Sequence, residues 1–167
     1  MLIISIRYNK DSMPQFIIHE HHATHLHFDF RLEIEGVLKS WAVPKGPSMN
    51  PKDKRLAIMV DDHTLEYGSY EGIIPKGQYG AGAVVIWDAG DYEFLGGNVQ
   101  DGRIEFILHG KKLKGGFILT KMSGRKKEWL LIKKRDDFAK DDFVIKNMLT
   151  PELRKKLRAK VPSCTAS

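Results

Sequence analysis

Short apolar or alternating runs, broken every few residues by turn-forming side chains, set the pattern of this chain. The runs fall at residues 15–18, 26–34, 38–43, 56–60, 83–87, 92–95, 104–108, 116–120 and 129–133. Gly, Pro, Asn and Asp punctuate the intervals, as in Glu35-Gly36, Lys45-Gly46-Pro47, Asp88-Ala89-Gly90, Gly96-Gly97-Asn98 and Asp101-Gly102. These residues reach the backbone conformations at which a strand ladder ends. So many short strands at close spacing predict a mainly β chain, a compact closed barrel or a sandwich, with one or two short helices. Residues 1–10 read as a further, first strand. The clear helix signal is late: Thr150 as N-cap, Pro151 in the first turn, and Leu153 and Leu157 four apart, for a helix near residues 150–160. Residues 162–167 follow as a frayed tail.

One run carries more than a fold signal. Leu26, Phe28, Phe30 and Leu32 share one parity, and His27, Asp29, Arg31 and Glu33 share the other. Successive strand side chains point to opposite faces, so one face is greasy and the other lines up an imidazole, a carboxylate and a guanidinium. Five of the seven histidines lie between residues 19 and 27. His27 and Asp29 can both reach a single ion, and imidazole with carboxylate suits zinc, manganese or non-haem iron. A third ligand must come from elsewhere, and His19, His21, His22 and His25 are the nearest candidates. The competing account is a solvated sheet face, against which an Asp at a strand centre is disfavoured and asks for a reason.

Composition narrows the setting. The chain of 167 residues has the length of one domain, 1–167, with room for one sizeable core. No apolar run approaches the roughly 20 residues of a membrane span, and the opening residues are too short and interrupted for a secretory signal. The single cysteine, Cys164, cannot form an internal disulfide, which fits a cytoplasmic setting. A net charge of +6 favours polyanionic partners. The lack of a coiled-coil pattern points to a monomer.

Two further clusters bear on chemistry. Lys45 sits in a Pro/Gly-fixed loop, Arg55 opens an apolar strand, and His63 closes it ahead of Tyr67. Each alone reads as an ordinary surface or capping residue; together they supply cationic donors suited to an anion beside a metal. Glycines 77, 80 and 82 suggest a phosphate-cradling loop, but no Gly-Lys-Ser/Thr follows and a strand comes next, so a tight structural loop is the better account.

Taken together, His21, His27-Phe28-Asp29-Phe30-Arg31-Leu32-Glu33, Leu38-Lys39-Ser40-Trp41-Ala42-Val43-Pro44-Lys45-Gly46-Pro47, Asp62-His63, Glu71-Gly72-Ile73-Ile74-Pro75 and Tyr79-Gly80-Ala81-Gly82 resemble the 3′-phosphoesterase domain of bacterial and archaeal DNA ligase D. Leu108-His109-Gly110-Lys111-Lys112-Leu113 and Trp129-Leu130-Leu131-Ile132-Lys133 extend the resemblance, which runs from about Phe16 to about Asp136. It implies a compact β-barrel with its site in a basic groove. It also implies a manganese-dependent enzyme of non-homologous end joining, with Co2+ or Zn2+ as other possible ions. Such an enzyme removes a 3′-terminal ribonucleoside from a primer strand, then the 3′-phosphate left behind. The substrate would be a DNA or DNA/RNA primer-template 3′ end. The absence of ligase and polymerase motifs suggests the stand-alone type, working with a separate repair ligase, polymerase and end-binding protein.

Carried over residue by residue, the resemblance implies His21, His27 and Asp29 as metal ligands, with Arg31, Lys45, Arg55, His63 and Tyr67 around the scissile phosphate. Arg31 would stabilise charge, and His63 would be a general acid or a transition-state donor. His19 stands where relatives often carry Gln, still able to bond a metal-bound water. His22 and His25 stand where relatives tend to have small or basic residues. Residues 1–15 are few beside the N-terminal arm that assists ribonucleoside removal in longer members.

A rival chemistry shares part of the pattern. His27 and Asp29 with His63 or His109 would form the 2-His-1-carboxylate site of a non-haem iron oxygenase, with Arg125 holding a 2-oxo acid. It leaves Arg31, Lys45 and Arg55 unexplained. A non-catalytic DNA-binding or adaptor module with structural zinc is the third reading, but such sites usually take four ligands, often cysteines.

Overall fold

Among the described residues every pair of neighbouring strands is antiparallel, and most are joined by the short connections that antiparallel pairing permits. The computed structural model describes residues 13–162; the strand expected over residues 1–10, and all of the expected tail after Pro162, lie outside them. The strands are β1 (Gln15–His22), β2 (Leu26–Ile34), β3 (Val37–Val43), β4 (Arg55–His63), β5 (Gly72–Ile74), β6 (Gly82–Asn98), β7 (Arg103–His109), β8 (Lys114–Lys121) and β9 (Glu128–Lys133). A 3₁₀ helix spans Leu65–Ser69, and α1 spans Pro151–Lys156. Eight strands follow one another as β1-β2-β3-β4-β9-β8-β7-β6, and β6 pairs back onto β1 to close the barrel, with β5 added beside the start of β6. Closure leaves no long open edge to recruit another chain.

Alternation fills the interior. Phe16 and Ile18 of β1, Phe28, Phe30 and Leu32 of β2, Trp41 of β3, Phe106 of β7, Phe117 of β8 and Trp129 of β9 form one buried cluster. Trp41 and Trp129 meet edge to face at 5.6 Å, an arrangement the ring quadrupoles favour. The other parity of β1 and β2 faces outward. There Ile17, His19 and His21 lie opposite Arg31, Asp29 and His27. The 3₁₀ helix, capped where Thr64 accepts from Tyr67 N, lays Tyr67 and Tyr70 over this outer wall.

Three expectations are corrected. Residues 83–87 and 92–95 are not two strands: β6 runs unbroken through Asp88-Ala89-Gly90. Asp88 stays in the strand because its carboxylate accepts from the backbone of Lys111, Lys112 and Leu113. At Gly90 a Cβ would come within 2.2 Å of the His109 carbonyl oxygen, so glycine here permits close strand packing instead of a turn. Strand β5 carries no periodic signal and is additional to the expected strands, and the 3₁₀ helix is the second of the one or two short helices expected, at a position the pattern does not mark. Helix α1 has its Thr150 cap but stops at Lys156, and none of its residues is buried.

Beyond β9 the chain returns along the barrel. Trp87 Nε1 donates to the Lys146 carbonyl (2.7 Å), and the wholly buried Glu20 carboxylate accepts from the backbone of Met148 and Leu149. After α1, Ile73 N donates to the Arg158 carbonyl and Lys160 N to the Ile73 carbonyl, so this strap pairs with β5. Among the described residues no helix is long and apolar enough to cross a membrane.

Candidate metal and phosphate site

The outer wall of β1 and β2 carries the chemistry because two antiparallel strands in register stack their odd-numbered polar residues. His21 Nδ1 lies 3.3 Å from Asp29 Oδ2, and His27 Nε2 lies 3.3 Å from Asp29 Oδ1. One donor atom from each of these three residues falls within 4.8 Å of the others. The far side of each ring is occupied: His21 Nε2 is 2.6 Å from the Gly80 carbonyl oxygen, and His27 Nδ1 is 3.1 Å from that of His25. A carbonyl only accepts, so those nitrogens carry the ring protons. The ring nitrogens left to face Asp29 are the ones that become lone-pair donors when an ion takes the place of their proton, the orientation that hydrogen bonds behind metal-binding histidines normally impose. Three ligand atoms converge, and such a cluster suits a cation.

Arg31 supplies the neighbouring positive charge and is 2% exposed. Its Nη2 lies 3.2 Å from Asp29 Oδ2, its Nη1 donates to Ser40 Oγ (2.9 Å), and its Nε donates to His19 Nδ1 (3.0 Å). Nη1 also lies 3.2 Å from His63 Nδ1, and Tyr67 covers the guanidinium at 4.8 Å. Behind it, His19 Nε2 donates to the Tyr70 carbonyl (3.1 Å), and Tyr70 stacks on Tyr67.

Electrostatics follow from this packing. Burial penalises the Asp29 charge, but Arg31 first, then His21 and His27, outweigh it and hold the carboxyl well below its usual range. Burial also opposes a charged His27, yet its bond to Asp29 raises the ring above its ordinary value. For His19, burial and the adjacent Arg31 push the pKa down to about 3. The same two causes lower His63 to about 4, and burial lifts the Tyr67 hydroxyl to about 12.

These groups open onto a cavity of about 760 Å³, whose lining includes His21, His27, Asp29, Arg31, His63 and Tyr67. Lys45 and Arg55 do not line it. Lys45 is exposed in the loop after β3. Arg55 shares the parity of the core residue Ala57 and pairs with Asp53 at 3.4 Å. His22 points away from the cluster and bonds Glu20 at 2.7 Å. Of the residues of the oxygenase reading, His63 shares the cavity with His27 and Asp29 but turns its Nδ1 to Arg31 and lies outside the three-donor cluster. His109 pairs with Glu93 and Arg125 is exposed, neither lining the cavity. Three participants escaped the sequence reading. Ser40 had a signal, being a small polar residue in an apolar strand, whereas the carbonyls of Gly80 and Tyr70 had none.

Fold and site together define a closed antiparallel barrel that holds a His-His-Asp cluster and a buried arginine in a pocket on its outer wall. Residues 19–121 match the family model of the DNA ligase D 3′-phosphoesterase domain. The chain belongs to that family. It is 45% identical over 138 residues to the multifunctional non-homologous end joining protein LigD of Pseudomonas aeruginosa, covering 78% of this chain and 16% of that protein. To the LigD repair protein of Mycobacterium tuberculosis it is 47% identical over 117 residues, 69% of this chain and 15% of that one. The Mycolicibacterium smegmatis LigD gives 44% over 131 residues, 73% and 17% respectively. The chain thus spans about one-sixth of the length of these curated relatives.

Proposed function

We propose that this chain is a metal-dependent phosphoesterase acting on DNA 3′ ends in non-homologous end joining. It removes a 3′-phosphate, and a 3′-terminal ribonucleoside from a primer annealed to its template. The observation that carries the reading is the convergence of two imidazole nitrogens and a carboxylate beside a buried, fully oriented arginine. His21, His27 and Asp29 are the residues that would hold the ion, and their nitrogen and oxygen donors with one carboxylate suit Mn2+, with Co2+ or Zn2+ as alternatives. A bound divalent ion supplies Lewis-acid polarisation of a phosphate oxygen and a more acidic water.

The protein's own groups do the rest. Arg31 needs no reorganisation to meet a phosphoryl group, because Asp29, Ser40 and His19 already fix its fork. Such preorganised donors are worth most where charge develops in the transition state. His63, neutral above about pH 4 in the free protein, acts as a hydrogen-bond partner of the bound oxygen. Tyr67 stays protonated and covers Arg31, excluding water from one side. His19 is a positioning residue, acting through Arg31. Lys45 and Arg55, outside the pocket, serve the backbone phosphate next along the strand.

The test uses a labelled primer on a longer template, ending in a 3′-phosphate or a single 3′-ribonucleotide. Manganese-dependent conversion to a 3′-hydroxyl, lost in His21→Ala and Asp29→Asn, is the expected result. Undiminished turnover in His27→Ala would refute the ligand assignment.

A further inference from the structure

The family match ends at residue 121, yet the chain returns to the pocket from well beyond that point. Val161 and Pro162 line the cavity. The strap that carries them is fastened to the site at two places. Ile73 of β5 exchanges backbone bonds with Arg158 and Lys160, and Tyr70, whose ring stacks on the Tyr67 that covers Arg31, donates its hydroxyl hydrogen to the Lys160 carbonyl (2.8 Å). A segment held this way keeps a fixed distance from the pocket.

Its charge is unusual for the chain. Residues 151–162 hold Arg154, Lys155, Lys156, Arg158 and Lys160 against the single carboxylate of Glu152, which is four of the six net positive charges. Lys160 lies along the Tyr70 ring. Arg154, Lys155, Lys156 and Arg158 are exposed, and among the described residues none forms an ion pair. Leu153 is half-buried and no residue of helix α1 is fully buried, so packing does not account for its basic side chains. A solvated basic face needs no attachment to a catalytic pocket, whereas a row of cations leading away from one matches a polyanion leading into it.

We propose that α1 and the strap form a rail for the sugar–phosphate backbone of the nucleic acid whose 3′ end occupies the pocket. The rail rests on the reading of the pocket as a 3′-end site and deepens it. It makes a polynucleotide, and not an isolated phosphate ester, the preferred substrate, with Arg154, Lys155, Lys156 and Arg158 each neutralising a phosphate upstream of the scissile one. Phosphate contacts release counterions, so each one lost flattens the dependence of log K on log salt by about one.

The experiment measures binding of a fluorescent primer-template with a 3′-phosphate, in EDTA to prevent turnover, from 50 to 200 mM salt (roughly the range over which counterion release dominates). Wild type is compared with the fourfold variant Arg154→Ala/Lys155→Ala/Lys156→Ala/Arg158→Ala. The expected result is at least a tenfold loss of affinity at low salt and a visibly flatter slope. Turnover of a nucleoside 3′-monophosphate, too short to reach the rail, should keep its wild-type kcat/KM. Arg154→Lys/Arg158→Lys, which keeps the charge, should bind as wild type. Equal affinity and slope in the fourfold variant would overturn the rail. So would an equal loss of activity on the mononucleotide, which would make the strap a mere wall of the pocket. If wild type cleaves neither substrate, the enzymatic reading fails, while the salt slopes still decide whether the rail exists.

Discussion

Arg31 has almost no conformational freedom left, and that sets what its replacement should do. Arg31→Lys keeps a charge but loses the planar fork that spans Asp29, Ser40 and His19, and these side chains are not interchangeable at a bidentate site. A loss of kcat of about 10²–10³, the usual cost of a missing charge-stabilising donor, is expected with little change in metal affinity. Arg31→Ala should in addition lower stability by about 3 kcal/mol, because it strands a buried carboxylate without its counter-charge; thermal melts beside activity assays separate the two. His27 gives a pH prediction. Its ring holds a proton above the ordinary histidine value, and a metal must displace that proton. Manganese affinity should therefore rise with pH by about tenfold per unit while His27 is protonated, then level off. Calorimetry in buffers of different ionisation enthalpy should show the released proton, and a flat affinity profile would count against His27 as ligand. At this scale strand parity made His27, Asp29 and Arg31 readable as one face of the sequence. The choice of His21 among its neighbours came only through family resemblance, because which histidines share that face depends on the turn at residues 23–25. Lys45 and Arg55 lie outside the pocket for a related reason: linear order says nothing about whether a loop cation folds over a wall or away from it.

Elements hold these residues by backbone contacts that no periodicity reveals. The loop between β5 and β6 brings the Gly80 carbonyl to His21, and it can do so because Gly80 adopts φ 76°. A Cβ there would sit 3.2 Å from His21 Cε1 as well as straining the left-handed backbone. Gly80→Ala should accordingly weaken metal binding by about 10-fold or more, the typical cost of disturbing the group behind a ligand, while the barrel melts nearly as in wild type. Equal manganese affinity in this variant would show that the carbonyl does not orient the ring. The runs of β7 and β9 were legible because each alternates cleanly in burial, and β2 because its residue types alternate even though both of its faces are buried through Phe28–Leu32. β6 was not, since Asp88 and Gly90 look like turn residues until Asp88 is seen capping the 110–113 loop and Gly90 is seen packed under His109. β5, three residues long, is too short to show any period.

At the scale of the whole molecule, three groups of the pocket, His19, His63 and Asp29, have pKa values lowered by the fold, and their signs agree; Glu105 and Asp136, outside it, are lowered by their arginine and lysine partners. His19 and His63 are lowered from 6.5 to about 3 and about 4, and Asp29 is held well below its usual range. A histidine kept neutral contributes stability that is full above pH 6.5 and is lost as the unfolded ring takes up a proton. For Asp29 the corresponding loss begins only below its unfolded value near 3.8. The raised His27 works the other way, stabilising below 6.5 and losing that contribution as pH rises through its folded value. The melting temperature should thus fall from pH 6.5 toward pH 4, and His19→Gln should flatten that limb by about 1.4 kcal/mol per pH unit at most. An unchanged acid limb would mean His19 is not what the fold protects from protonation. A single strand, β2, faces the dry interior with one parity and the cavity with the other, so adjacent codons answer to different selective pressures. In a saturation library, substitutions at Phe28, Phe30 and Leu32 should register as lost protein abundance. Those at His27 should leave abundance near normal and abolish turnover, with Asp29 and Arg31 losing turnover first and abundance second. Such a strand could drift in chemistry while its host barrel stays intact, or be repacked while its chemistry stays put.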